Sequence, residues 1–216
     1  MVVVEPHSKH QSTIIWLHGL GDSGHGFAPI VPTLNLPQDL GIKFIFPHAP
    51  IQPVTINGGM KMRSWYDIKN MSFKDRVDLS GIQSSADLVK QLIDDEISAG
   101  IPSEKIILAG FSQGGVIAYY LGLQYSQKLA GLMTLSAYLA NPNTIKDERH
   151  TANHDTPLFI AHGLYDPVVP YHLAEQAQSS LKQLNYQIEF HSYPIEHSLC
   201  LEEIELIGKW IQKCLT

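Results

Sequence analysis

The segment Gly110-Phe111-Ser112-Gln113-Gly114 sets a serine between two glycines, after the apolar run Ile106 to Ala109 and before an apolar stretch that continues to Tyr125. The spacing G-x-S-x-G predicts a tight strand-to-helix turn that holds the serine in a strained backbone conformation, its hydroxyl raised above the sheet. Glycines two residues to either side let the chain turn without side-chain collisions. The alternative is a glycine-rich helix start that Ser112 merely caps. A strand before and a helix after are the context that favours the reactive turn.

A serine hydroxyl is a weak nucleophile, so it needs a base within hydrogen-bond reach and a carboxylate to orient that base. With the chain order serine, acid, histidine expected for such a turn, Asp166 and His197 are the candidates. Asp166 follows the apolar run Pro157 to Ala161, and His197 follows Gln187 to Tyr193, so both stand in loops after strands. Glu196 is a competing acid, but immediate neighbours rarely face each other. Among the eleven histidines, His162 lies too close in sequence to Asp166 to be its obvious partner and reads as a loop stabiliser. His191 sits within a strand; His7, His10, His150 and His154 sit in polar segments. No histidine spacing matches a familiar metal-ligand set, and the chemistry expected of these residues needs no metal or cofactor.

Attack by Ser112 on a carbonyl would create an oxyanion, which two backbone amides must meet. One is expected from Gln113, the residue after the nucleophile. The other is expected from Leu20, between Gly19 and Gly21 in the loop after the strand Thr13 to Leu17. A plain glycine turn is the alternative reading of that loop.

These loops need a frame. Apolar runs recur at Thr13 to Leu17, Lys43 to Phe46, Ile106 to Ala109, Gly131 to Leu135, Pro157 to Ala161 and Gln187 to Tyr193. Most are continuous rather than alternating, which predicts strands buried on both faces of a parallel sheet. Ile82, Ala86, Val89, Ile93 and Ile97 recur at helical spacing, and Gly100 and Pro102 close that helix. Further helices are expected near Gln113 to Tyr125, His172 to Leu184 and Leu199 to Cys214. The alternation predicts an α/β fold with a mostly parallel central sheet and helices on both faces. Residues 47–80 break the rhythm with Pro50, Pro53, Gly58 and Gly59, and read as a long excursion without obvious regular structure, of the kind that usually carries function.

The 216 residues suit one α/β domain, with 44% hydrophobic residues, 17% charged and a net charge of -6. That balance points away from nucleic acid. The start MVVVEPHSKH lacks the apolar core of a signal peptide, and no stretch reaches membrane-span length, so the expected setting is the cytoplasm. Cys200 and Cys214 fall in one helical segment roughly 21 Å apart along its axis, too far to pair. Reduced thiols that serve as small buried hydrophobes are the reading that fits the cytoplasm.

LHGLGDSGHGF (Leu17 to Phe27), FPHAP (Phe46 to Pro50), Met62 to Ile68, GFSQGG (Gly110 to Gly115), HGLYDPVVP (His162 to Pro170) and Glu196-His197-Ser198 together resemble the carboxylesterase and acyl-protein thioesterase family of α/β hydrolases. The pieces span nearly the whole chain in the family's order. Arg63, before Ser64-Trp65-Tyr66, resembles the bacterial carboxylesterase branch more than the eukaryotic thioesterase branch. Pro194-Ile195 departs from the glycine and methionine of many relatives.

The resemblance implies a single α/β-hydrolase domain over 1–216 and a serine carboxylesterase that cleaves ester or thioester bonds through an acyl-enzyme on Ser112, with Asp166 and His197 completing the triad and Leu20 and Gln113 the oxyanion hole. It implies that the excursion covers the site and shapes an acyl groove, with Met62, Trp65 and Phe73, and Leu164 from the acid loop, as candidate substrate contacts; Trp65 reads equally well as core. A lysophospholipase or acyl-protein thioesterase acting on long chains is the alternative enzyme. A catalytically silent binding module is the alternative outside enzymes. Transient membrane contact through residues 47–80 and a homodimer are compatible with the resemblance and stay open.

Overall fold

In the computed structural model, which describes residues 1–70 and 77–216, strands β1 (Val2–Val4), β2 (Ser12–Leu17), β3 (Ile42–Phe46), β4 (Ile51–Val54) and β5 (Met60–Arg63) precede β6 (Ile106–Phe111), β7 (Gly131–Leu135), β8 (Leu158–Gly163) and β9 (Ile188–Tyr193). The α-helices are α1 (Gly24–Phe27), α2 (Leu79–Ser98), α3 (Gln113–Gln124), α4 (Ile145–Glu148), α5 (Tyr171–Gln183) and α6 (Leu201–Leu215). Phe73, and Met71 of the same excursion, lie outside the described residues.

Seven strands form one sheet in the order β1-β3-β2-β6-β7-β8-β9. All neighbours run parallel except β1, whose valines pair antiparallel with β3 along the edge. Two hydrophobic layers sandwich this sheet, as uninterrupted apolar strands require. Ile15 and Leu17 face α2, α3 and α5, where Ile82, Val89, Ile93, Val116 and Leu181 pack. Ile14 and Trp16 face the other way, toward Leu34 and the α6 residues Ile207, Trp210 and Ile211.

The chain runs outward from β2 to β3, then returns across β2 to β6. The strand order therefore reverses between β2 and β6, and the carboxyl ends of two such strands leave a crevice between their diverging loops. The loop after β2 carries Leu20, and the loop after β6 carries Ser112.

The excursion is more regular than its sequence suggests. β4 and β5 pair antiparallel as a separate ribbon, from Ile51 opposite Arg63 to Val54 opposite Met60. Gly58 and Gly59 make its turn with φ of 66° and 76°, the left-handed conformations that glycine enters without cost. Pro53 inside β4 hid the strand, because proline is tolerated only where no partner needs its missing N–H.

Candidate active site

Ser112 sits at φ 54° and ψ -121°, between β6 and α3. Few L residues adopt such a conformation, and the surrounding backbone forces it here. A Cβ on Gly110 would stand 2.2 Å from the Gly114 carbonyl oxygen, and one on Gly114 would stand 2.5 Å from that of Leu17. Both glycines are thus needed for the turn to close against β2. The Ser112 side chain makes no capping bond to α3, so its hydroxyl is left for another partner.

That partner is His197. Ser112 Oγ lies 2.9 Å from His197 Nε2, and His197 Nδ1–H donates to Asp166 Oδ2 at 2.6 Å. A proton on Nδ1 leaves Nε2 free to accept from the serine. Asp166 is buried, and its Oδ1 accepts from the amides of Val168 and Val169, each at 2.8 Å. Burial alone would raise the Asp166 pKa; hydrogen bonds from His162, His197 and Val169 outweigh it and hold the carboxyl well below the usual carboxylate range. Glu196, the competing acid, is exposed and has no such bond to His197.

His162 packs behind this loop. Its Nε2–H donates to the Val169 carbonyl at 2.7 Å and stands 3.4 Å from Asp166 Oδ2. It therefore ties the acid loop to β8.

The backbone amides of Leu20 and Gln113 make no hydrogen bond to the described residues, and Leu20, Ser112 and Gln113 line one cavity. Two features hold these amides in place. The neighbouring Gly21 N–H donates to the Arg63 carbonyl of β5 at 2.8 Å. The Gln113 side chain, buried, accepts from Trp65 N–H at 2.9 Å and donates to the Tyr66 carbonyl at 2.6 Å and to Ser64 Oγ at 3.0 Å. The excursion thus braces both sides of the crevice. His18, under the same loop, accepts from Ala49 N–H on Nε2 and donates from Nδ1 to the Gly19 carbonyl; burial lowers its pKa, which suits the neutral ring these bonds require.

The cavity of about 100 Å³ runs from Leu20, Ser112 and Gln113 past Tyr66, Ile68, Val77 and Tyr138 to Val168 and Val169. Two carboxylates in its wall are already engaged. Asp67 accepts from Thr55 N–H and Oγ. Asp78 caps α2 and accepts from the amides of Asp67 and Gly81 and from Ser80 Oγ. Burial pushes the Asp78 pKa up, but these donors outweigh it and leave it lowered.

The expected substrate contacts fare differently. Trp65 is a correction: only 2% exposed, it is absent from the cavity lining and donates its indole N–H to the His18 carbonyl at 2.8 Å. A buried indole with a satisfied N–H is core. Met62 also lies off the cavity, on β5, where its sulfur approaches Gly21 and accepts from Asn57. Leu164 is exposed on the acid loop and does not line the cavity either. Phe73 lies outside the described residues. The described lining residues that the sequence did not mark as substrate contacts include Tyr66, Ile68, Val77, Tyr138, Val168 and Val169; Tyr66 and Ile68 stand in the Met62 to Ile68 motif and Val168 and Val169 follow Asp166-Pro167, whereas Val77 and Tyr138 carried no sequence signal.

Among the described residues no group of His, Cys, Asp or Glu side chains is placed to hold a metal ion, and no helix is long and apolar enough to cross a membrane.

A seven-stranded sheet with a strained serine turn, an acid loop and a base loop on one rim defines a serine hydrolase of the α/β-hydrolase class. A sequence model of the phospholipase/carboxylesterase family matches residues 1–215, and the chain belongs to that family. It is 41% identical to acyl-protein thioesterase 1 of Neurospora crassa over 96% of this chain and 89% of that protein. Among solved structures, it is similar to Arabidopsis thaliana SOBER1, with a TM-score of 0.90 and 32% identity over 95% of this chain and 100% of that one. It is also similar to Zea mays acyl-protein thioesterase 2, with a TM-score of 0.89 and 31% identity over 100% of this chain and 98% of that one.

Proposed function

We propose that this chain, as one domain, hydrolyses carboxylic esters or thioesters through an acyl-enzyme on Ser112. The observation that carries this reading is the hydrogen-bonded series from Ser112 Oγ through His197 to Asp166, opening on a cavity whose walls are mostly apolar. His197 takes the hydroxyl proton as Ser112 attacks the acyl carbon, then returns it to the departing alcohol or thiol. The amides of Leu20 and Gln113 receive the oxyanion. Asp166 stays ionised and stabilises the imidazolium that forms. A water activated by His197 then releases the acid and restores the serine.

The acyl part fits the apolar cavity, and the leaving group fits the open side. An acyl-protein thioester or a lysophospholipid is the second reading; similarity to thioesterases from fungi and maize supports the first of these. The β4–β5 ribbon, with Ile51 and Met60 each more than half exposed beside Lys61, suits transient contact with a membrane surface that presents such substrates. The cytoplasm is the proposed setting, in keeping with two free cysteines. A homodimer, which the family resemblance allows, is open to sedimentation velocity.

The test is hydrolysis of nitrophenyl esters and of an acyl thioester by wild type and Ser112→Ala. The reading expects turnover of both by wild type and of neither by the variant. Equal rates in the two proteins would end it.

A further inference from the structure

A second cleft lies next to the first. It measures about 450 Å³ and is lined by Leu139, Pro142, Leu173 and Ala177 with the polar Asn141 and Gln176 among others, and among the described residues it shares two lining residues with the serine cavity, Val77 and Tyr138. Tyr138 therefore stands as a partition, with Ser112 on one side and a larger apolar space on the other. Its position is not left to packing alone. The hydroxyl of Tyr138 lies 3.0 Å from that of Tyr66, and Tyr66 is buried at 2% exposure, on the segment that Gln113 fastens to the serine turn. The partition is thus registered to the nucleophile through Tyr66, whose backbone carbonyl accepts from Gln113, the neighbour of Ser112, and whose hydroxyl meets that of Tyr138.

We infer that Tyr138, held by the Tyr66 hydroxyl, is the end wall of the acyl site and sets the longest acyl chain the enzyme accepts readily. This rests on the acyl-enzyme reading and adds to it the residue that decides substrate length. The physical reason is steric. A chain attached to Ser112 and lying along Ile68, Val77 and Val169 meets the Tyr138 ring after filling a cavity of about 100 Å³; every further methylene must displace that ring, bend away or stay in water. Removing the ring takes away a wall that the two clefts share and gives longer chains room against Leu139, Leu173 and Ala177. Both phenols keep their protons at neutral pH, since burial raises each pKa, so the tether does not come and go with ordinary changes of pH.

The experiment compares butanoyl and dodecanoyl nitrophenyl esters on wild type, Tyr138→Ala, Tyr138→Phe, Tyr66→Phe and the double phenylalanine variant. For Tyr138→Ala the ratio of dodecanoyl to butanoyl kcat/KM is expected to rise at least about tenfold, the scale on which a pocket discriminates a methylene or two. The two single phenylalanine variants, which keep the rings and remove the bond between the two hydroxyls, are each expected to raise the ratio by a smaller factor than Tyr138→Ala, and the double variant by less than the product of the two. Tyr138→Leu serves as a second opening, should Tyr138→Ala melt below the assay temperature. A folded Tyr138→Ala or Tyr138→Leu with the wild-type length ratio overturns the inference, as does a change that follows the leaving group rather than the acyl chain. Failure of the underlying reading looks different: wild type would then hydrolyse neither ester and its Ser112 would not react with a fluorophosphonate.

Discussion

Gln113 Nε2 donates to the carbonyl of Tyr66 at 2.6 Å, so the residue whose backbone amide is proposed to receive the oxyanion also clamps, by its side chain, the end of the β4–β5 excursion. One amide group does two jobs at once. It orients the first turn of α3 and fixes the wall of the cavity.

Gln113→Glu removes the donor half of that amide and aims a carboxylate at the Tyr66 carbonyl. Loss of a buried hydrogen bond of this kind costs about 1–3 kcal/mol of stability, measurable by urea unfolding. Activity is expected to fall further than stability explains, by roughly tenfold to a hundredfold in kcat, because an oxyanion donor shifts with it. An unchanged kcat would separate the clamp from the chemistry.

Asp166→Asn keeps the shape of the acid loop but cannot hold His197 with its Nδ1 protonated. By analogy with other triads, kcat is expected to fall by up to about 10⁴-fold. Steady-state kinetics on a short ester reads this directly. Near-normal turnover would move the acid role to Glu196.

The backbone of Ser112 is strained, and that strain has a measurable sign. At φ 54° an alanine suffers as the serine does, whereas glycine is at ease. Ser112→Gly is therefore expected to exceed Ser112→Ala in stability by about 1 kcal/mol, the reverse of the usual order, with both variants inactive. Thermal or urea melts of the pair decide it, since both have lost the hydroxyl.

Glu203, in the first turn of α6, is 2% exposed. Burial raises its pKa from 4.5 to about 7 against the opposing effect of the Cys200 amide, which donates to its carboxyl. The folded chain thus holds a proton that the unfolded chain has released, and stability falls as pH rises from about 4.5 through about 7 and stays lower above that window. The full effect is at most about 3 kcal/mol. Glu203→Gln keeps an acceptor for Cys200 without the charge. Relative to wild type, it is expected to gain stability between pH 5 and pH 8, by about 2–3 kcal/mol. Parallel curves for the two proteins would show that Glu203 titrates normally.

Much of this was legible in the sequence because parallel strands buried on both faces read as unbroken apolar runs, and because functional loops must follow their carboxyl ends. Ser112, Asp166 and His197 each stand three to five residues beyond such a run. What escaped had no local signature. The ribbon was masked by Pro53. Trp65 looked like a substrate wall because an indole serves either purpose, and only the His18 carbonyl 47 residues away reveals which. The contact between Tyr66 and Tyr138 spans 72 residues, and no periodicity in one chain encodes such a pair.

The most direct test of the account is reaction with a fluorophosphonate probe, followed by mass-spectrometric mapping of the modified residue. The account predicts a single adduct on Ser112, lost in Ser112→Ala and formed at least about a thousandfold more slowly in His197→Ala, whose base no longer accepts the hydroxyl proton. A folded protein that takes up no probe, or takes it up elsewhere than on Ser112, would contradict it.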